Sequence, residues 1–129
     1  MKRSDLESFI LETYNADTDY PWRSYPNYQV FRHASTRKWF ALIMNVPKVK
    51  LGVHGDETMD VVNFKCDPVM VGSLLDKPGF FPAYHMNRNN WITVAIDGSV
   101  PDDDIKTLLY MSYQATSPKM KRRNEEQKQ

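Results

Sequence analysis

Residues 38–46, KWFALIMNV, decide the fold class. Read with the two-residue period of an extended chain, Phe40, Leu42, Met44 and Val46 fall on one face, and Trp39, Ala41 and Ile43 on the other. Both sets are largely apolar, which places this strand centrally in a sheet. Val46 and Pro47 then supply a turn, because proline has no N–H to donate to a central ladder. Lys48–His54 alternates cleanly, Val49, Leu51 and Val53 inward and Lys48, Lys50 and His54 outward, and reads as a neighbouring strand with one wet face.

Further along, Gly55–Thr58 is a polar turn and Asp60–Cys66 alternates again, with Val62, Phe64 and Cys66 inward. Asp67 and Pro68 carry the N-cap and first-position signals of a helix running to about Leu75 and ending near Pro78 and Gly79. Trp91–Ile96 is a β-branched strand. Pro101 with Asp102, Asp103 and Asp104 opens a last helix, in which Ile105, Leu108, Leu109 and Ser112 recur at helical spacing to about Thr116 before Pro118 stops it. Toward the N-terminus, Tyr28 begins the strand region. Asn15–Asn27 is a turn-rich loop pinned by Pro21 and Pro26 among Tyr20, Trp22 and Tyr25, and Ser4 with Glu7 forms a capping box for a helix over about Asp5–Tyr14. The order helix, four strands, helix, strand, helix predicts an α+β fold of two layers, an antiparallel β-sheet covered by helices on one face.

The chain of 129 residues is long enough for one self-sufficient core. A single domain is expected over 1–117, followed by a basic tail, 118–129, expected to be disordered or helical only when bound. The lone Cys66 has no disulfide partner and no cysteine cluster exists for zinc, which fits a reducing compartment. The first twelve residues lack the apolar run of a signal peptide, and the longest apolar run, Trp39–Met44, is far short of the ~20 residues that span a bilayer. A cytoplasmic protein is expected, with no membrane contact, cofactor or metal.

Seventeen Lys and Arg against sixteen Asp and Glu give a formal +1 that conceals local asymmetry. No acid occurs between Asp19 and Asp56, where Arg23, Arg32, Arg37, Lys38, Lys48 and Lys50 contribute +6. Residues 119–129 carry +3, which leaves the body at −2. Cations on neighbouring strands can form one basic surface, and a two-stranded ribbon can enter a DNA groove. The plainer alternative is an edge strand protected from aggregation by solvated lysines.

The segment 78–97 holds His85, Asn87, Arg88, Asn89 and Asn90 beside Phe80, Phe81, Tyr84 and Trp91. Amide groups suit base edges, arginine suits phosphate and aromatic faces suit unpaired bases. The same residues also serve an asparagine-rich turn locked onto the core. Catalytic signals are weak. His33, His54 and His85 lack the spacing of a helical zinc site, there is no nucleophile elbow or Gly-rich phosphate loop, and Cys66 lies on an inward strand position.

RKWFALI (37–43), VNFKCDP (62–68), PAYHMNRNNWITV (82–94) and LLYMSYQ (108–114) together resemble the MmcQ/YjbR-like family of small bacterial proteins over most of residues 1–117. The resemblance implies a CyaY-like α+β fold, a DNA-binding role through a double-wing contact and no catalytic activity. CyaY relatives are associated with iron through acidic surface residues; here the acidic cluster is a helix start, and that role is not carried over. The resemblance assigns no individual residue. Combined with the charge pattern, it favours phosphate contact of weak sequence specificity through Arg32, Arg37, Lys38, Lys48 and Lys50, with Asn87 and Arg88 secondary. The alternatives are a small-ligand pocket walled by Trp22, Tyr84, His85 and Trp91, or a protein-interaction adaptor using the exposed sheet or the tail.

Overall fold

In the computed structural model, which describes residues 1–118, six strands pair antiparallel throughout. They are β1 (Ala16–Asp19), β2 (Gln29–His33), β3 (Trp39–Pro47), β4 (Thr58–Lys65), β5 (Phe80–Pro82) and β6 (Trp91–Ala95), arranged β1-β2-β3-β4-β6-β5 across one sheet. Three helices, α1 (Arg3–Thr13), α2 (Pro68–Leu74) and α3 (Asp102–Ala115), lie on one face. The expected α+β architecture is the one observed.

The helix starts follow their local chemistry. The Asp67 carboxylate accepts from the Val69 N–H at 2.9 Å, with Pro68 in the first turn of α2. α3 begins at its three aspartates. α1 starts two residues earlier than its sequence suggests, because the carboxylate that reaches back is Asp5, accepting from the Lys2 N–H at 2.9 Å.

Leu6 and Ile10 of α1, Val71 and Leu74 of α2, and Ile105 and Leu109 of α3 pack on Phe31, Ile43, Phe64 and Ile92 of the sheet. On the opposite face Val30, Leu42, Met44, Val61 and Ala95 are also buried, under Trp22, Tyr28, Tyr84 and Met86 from the β1–β2 and β5–β6 connections. That face is therefore closed by aromatic loops, not wet. A bulge modifies the simple alternation of β3: Arg32 pairs with Trp39 and Phe31 with Ala41, so Phe40 is an extra residue. Phe40 joins the helix-side core and Trp39 is turned to the loop side, the reverse of strict alternation.

Lys48–His54 is not a strand. Lys48–Leu51 forms a 3-10 turn closed by Gly52 at φ 75°, and Val49 is 70% exposed. Pro47 ends the ladder and the Lys48 N–H bonds the Glu57 carbonyl at 3.0 Å, which closes a loop instead of extending a ribbon. Two strands absent from the sequence reading lie at the edges. β1 is a polar ADTD segment pairing only with β2, and β5 has three residues ending in a proline that an edge tolerates.

Burial on both faces has a measurable consequence. Leu42→Ala and Ile43→Ala, which empty opposite sides of β3, are each expected to lower unfolding free energy by about 2–5 kcal/mol, read from urea denaturation. A tolerated Leu42→Ala would mean that the loop side is not a core.

Candidate nucleic-acid interface

The β2–β3 hairpin, the end of β4 and the start of β6 all reach the same end of the sheet. His33 and Lys38 close the hairpin through an N–H···O=C bond of 2.9 Å, Lys65 pairs with Trp91, and the Cys66 N–H bonds the Asn90 carbonyl at 2.9 Å. Arg37, Lys38 and Arg88 are exposed there and Lys65 is half-exposed. Arg37 sits in the hairpin at φ 68°, a left-handed position ordinarily given to glycine, and its guanidinium pairs with Asp17 of β1.

Arg32 is more committed. Its guanidinium donates to Asp19 at 3.0 and 3.3 Å and lies 5.3 Å from the centre of the Trp39 ring. Lys48 and Lys50 do not join this group. They lie past the far end of β3, roughly 27 Å away at the rise of an extended strand, and Lys48 Nζ is held 2.8 Å from the Glu57 carboxylate. That contact also lowers the pKa of the Glu57 carboxyl. The cations expected to share one face are thus divided between two ends of the sheet. Asn87 serves the turn: its side chain accepts from the Asn89 N–H at 2.9 Å.

Of the four residues expected to wall a pocket, Trp22, Tyr84 and His85 come together and Trp91 does not. The Trp22 ring stands edge-on to Trp39 at 5.4 Å and to Tyr28 at 6.2 Å; Tyr28 stacks on Tyr25 at 4.7 Å and lies 6.0 Å from His85, which is 4.1 Å from Tyr84. Trp91 is buried in β6. The group forms a surface rather than a pocket wall. A cleft of about 640 Å³ opens beside Lys2, Arg3, Asp60 and Asp97, and another of about 450 Å³ beside Pro47, His54 and Glu57; none of the four residues lines either. Burial, then the neighbouring Tyr84 and Tyr25, push the Tyr28 phenol up to about 12.

Asn63 and Thr93, both fully buried, set the height of this surface. The Thr93 hydroxyl donates to Asn63 Oδ1 at 2.6 Å and accepts from the Tyr84 N–H at 2.9 Å, while the Asn63 amide donates to the Tyr84 carbonyl at 2.8 Å. Two polar residues inside otherwise apolar strands were the available signal for this anchor. Lys65 went unnoticed because only the register brings it to the hairpin end, and Trp39, read as a strand residue, reaches the loop-side surface only through the bulge at Phe40.

His33 anchors the hairpin from beneath. Its ring is 3% exposed, packed on Phe40 and Tyr113, with Nε2 2.7 Å from Thr116 Oγ1 at the end of α3. Cys66 is a buried thiol whose pKa is raised, mainly by burial, so it is poorly suited to attack as a thiolate. Among the described residues no cluster of three His, Cys, Asp or Glu could hold a metal ion, and no helix is long and apolar enough to cross a membrane.

These features define a small α+β protein with a mixed basic and aromatic surface at one end of its sheet. The sequence profile described as YjbR matches residues 11–115, and the chain belongs to the YjbR family. It is 37% identical over 116 residues to the uncharacterized protein YyaQ of Bacillus subtilis (strain 168), a match covering 90% of this chain and 98% of that protein. A crystal structure of a Pseudomonas syringae protein, 42% identical, superimposes with a TM-score of 0.88 over 91% of this chain and all of the other. A Deinococcus radiodurans crystal structure with a DUF419 domain, 27% identical, gives 0.66 over 85% of this chain and 74% of its own.

Burial, followed by the positive charge of Lys38, lowers the pKa of His33 below its usual value, despite an opposing hydrogen bond to the Tyr113 backbone. The unfolded chain then takes up the proton more readily than the folded one. The contribution of His33 to stability is therefore complete above about pH 6.5 and is lost as pH falls through the folded-state pKa. Urea midpoints are expected to fall between pH 7 and pH 5 in the native protein and to change less in His33→Gln.

Proposed function

We propose that this is a non-enzymatic nucleic-acid-binding protein that holds phosphates at the hairpin end of its sheet, with weak sequence specificity. The observation that carries the reading is the convergence of Arg37, Lys38, Lys65 and Arg88, drawn from three separate segments, at that end. Phosphate contact needs positive charge at the surface and no base-reading geometry. Asp17 pairs with Arg37 and Asp19 with Arg32, while Asp67 keeps its negative charge as it caps α2, so the excess positive charge at this end comes from Lys38, Lys65 and Arg88. The described chain also leaves α3 at this end, where Thr116 meets His33, and the sequence that follows carries Lys119, Lys121, Arg122 and Arg123.

Of the double-wing contact, this reading uses the β2–β3 hairpin; the β3–β4 connection, where Lys48–Leu51 forms a 3-10 turn, lies at the far end of the sheet. A CyaY-like relationship and a cytoplasmic location belong to the same reading. Small-ligand binding has less support, since the aromatic residues line neither cleft.

With three or four phosphates engaged, log K for a short DNA is expected to fall against log salt with a slope of about −3. Lys38→Glu is expected to weaken binding severalfold and to flatten the slope by about one, whereas Lys48→Glu with Lys50→Glu leaves both within error. No detectable binding at low salt, or a flat slope, would refute the reading.

Arg37→Gly separates charge from folding. Glycine adopts the hairpin φ without penalty, so the variant is expected to be as stable as the native protein or up to about 1 kcal/mol more stable. Its DNA affinity is nonetheless expected to be lower. Unchanged affinity would remove Arg37 from the interface.

A further inference from the structure

We infer that the nucleic acid engaged here is an unpaired strand, whose bases stack on the aromatic surface running from Trp39 through Trp22 to Tyr25 and His85 while its phosphates lie along the hairpin-end cations. This rests on the nucleic-acid reading above and specifies the form of its ligand. Duplex bases are stacked on one another and offer only their edges, so aromatic faces at a surface are useful to bases that have left a duplex.

Three observations support the choice. The rings form a continuous series, with centres 5.4 Å apart from Trp39 to Trp22, 6.2 Å from Trp22 to Tyr28 and 4.7 Å from Tyr28 to Tyr25. The outermost member is open: Tyr25 stacks on Tyr28 with one face, at an interplanar angle of 16°, and is 44% exposed. A purely structural cover for the sheet needs Trp22 and Tyr28 but does not need an exposed tyrosine stacked above them. The series also meets positive charge: Lys38 is exposed next to Trp39 in the chain and Arg88 is exposed in the same connection as His85, whereas the Arg32 guanidinium over Trp39 is paired with Asp19. An aromatic path with flanking cations complements a strand in which bases alternate with phosphates.

A second feature of the same surface is strain. The described chain has two non-glycine residues at positive φ, Arg37 at 68° and His85 at 63°, and they stand at the two ends of this arrangement. Left-handed backbone disfavours residues with a Cβ, and such strain concentrates at binding sites, where a side chain must be held in place.

The test uses the full chain with a 15-residue oligothymidylate and a 15-base-pair duplex at the same low salt, followed by fluorescence anisotropy of the labelled DNA. The oligothymidylate is expected to bind at least fivefold more tightly than the duplex. Tyr25→Ala, at an exposed position, is expected to weaken oligothymidylate binding by about fivefold or more, with duplex binding unchanged and Tyr25→Phe near native. If both DNAs bind equally, or if Tyr25→Ala binds oligothymidylate as the native protein does, while Lys38→Glu still weakens binding, stacking is wrong and phosphate contact stands. If neither DNA binds, both readings fail together.

Discussion

The structure depends on the burial of β3 from both sides. A strand whose two faces are apolar requires two covers, and this chain supplies them by different means. Three helices close one side. On the other, no helix lies among the described residues, and the β1–β2 and β5–β6 connections fold over the sheet with Trp22, Tyr28, Tyr84 and Met86. Aromatic residues suit a loop cover because each buries a large area from a short stretch of chain. The consequence for function is that rings which close a core from above also present edges and faces to solvent.

Polar contacts fix that cover in place. The Asn63–Thr93 pair grips both backbone groups of Tyr84, so the β5–β6 connection is tied to the middle of the sheet rather than resting on it. Buried groups joined in this way are costly to leave unpaired, which makes the loop position as specific as that of a strand. At the other side of the surface, His33 and Thr116 tie the hairpin to the end of α3. The basic end of the sheet is thus assembled on supports that are themselves buried.

Much of the architecture was legible because it follows from periodicity and caps. KWFALIMNV marked a central strand, Asp67-Pro68 and Pro101 with its aspartates marked helix starts, and each lies where expected. Other features required tertiary context. The alternation of Lys48–His54 matches a strand, but Pro47 ends the ladder and Gly52 admits a tight turn, so local pattern lost to backbone geometry. The bulge at Phe40 reverses which of Trp39 and Phe40 faces the helices, and only pairing with β2 discloses it. β1 is too polar to be recognised without its partner strand.

The candidate interface was legible as composition rather than as a place. Arg37, Lys38 and Arg88 were picked out from their segments and come together; Lys48 and Lys50 belonged to the same acid-free stretch and do not. Contact at the hairpin end is tested most directly by following backbone amide resonances of the native protein during titration with a short oligonucleotide at low salt. Shifts should concentrate in residues 22–25, 34–39, 65 and 85–90 and spare residues 48–56. Shifts centred on residues 48–56 or on the cleft beside α1, or no shifts at saturating oligonucleotide, would contradict it.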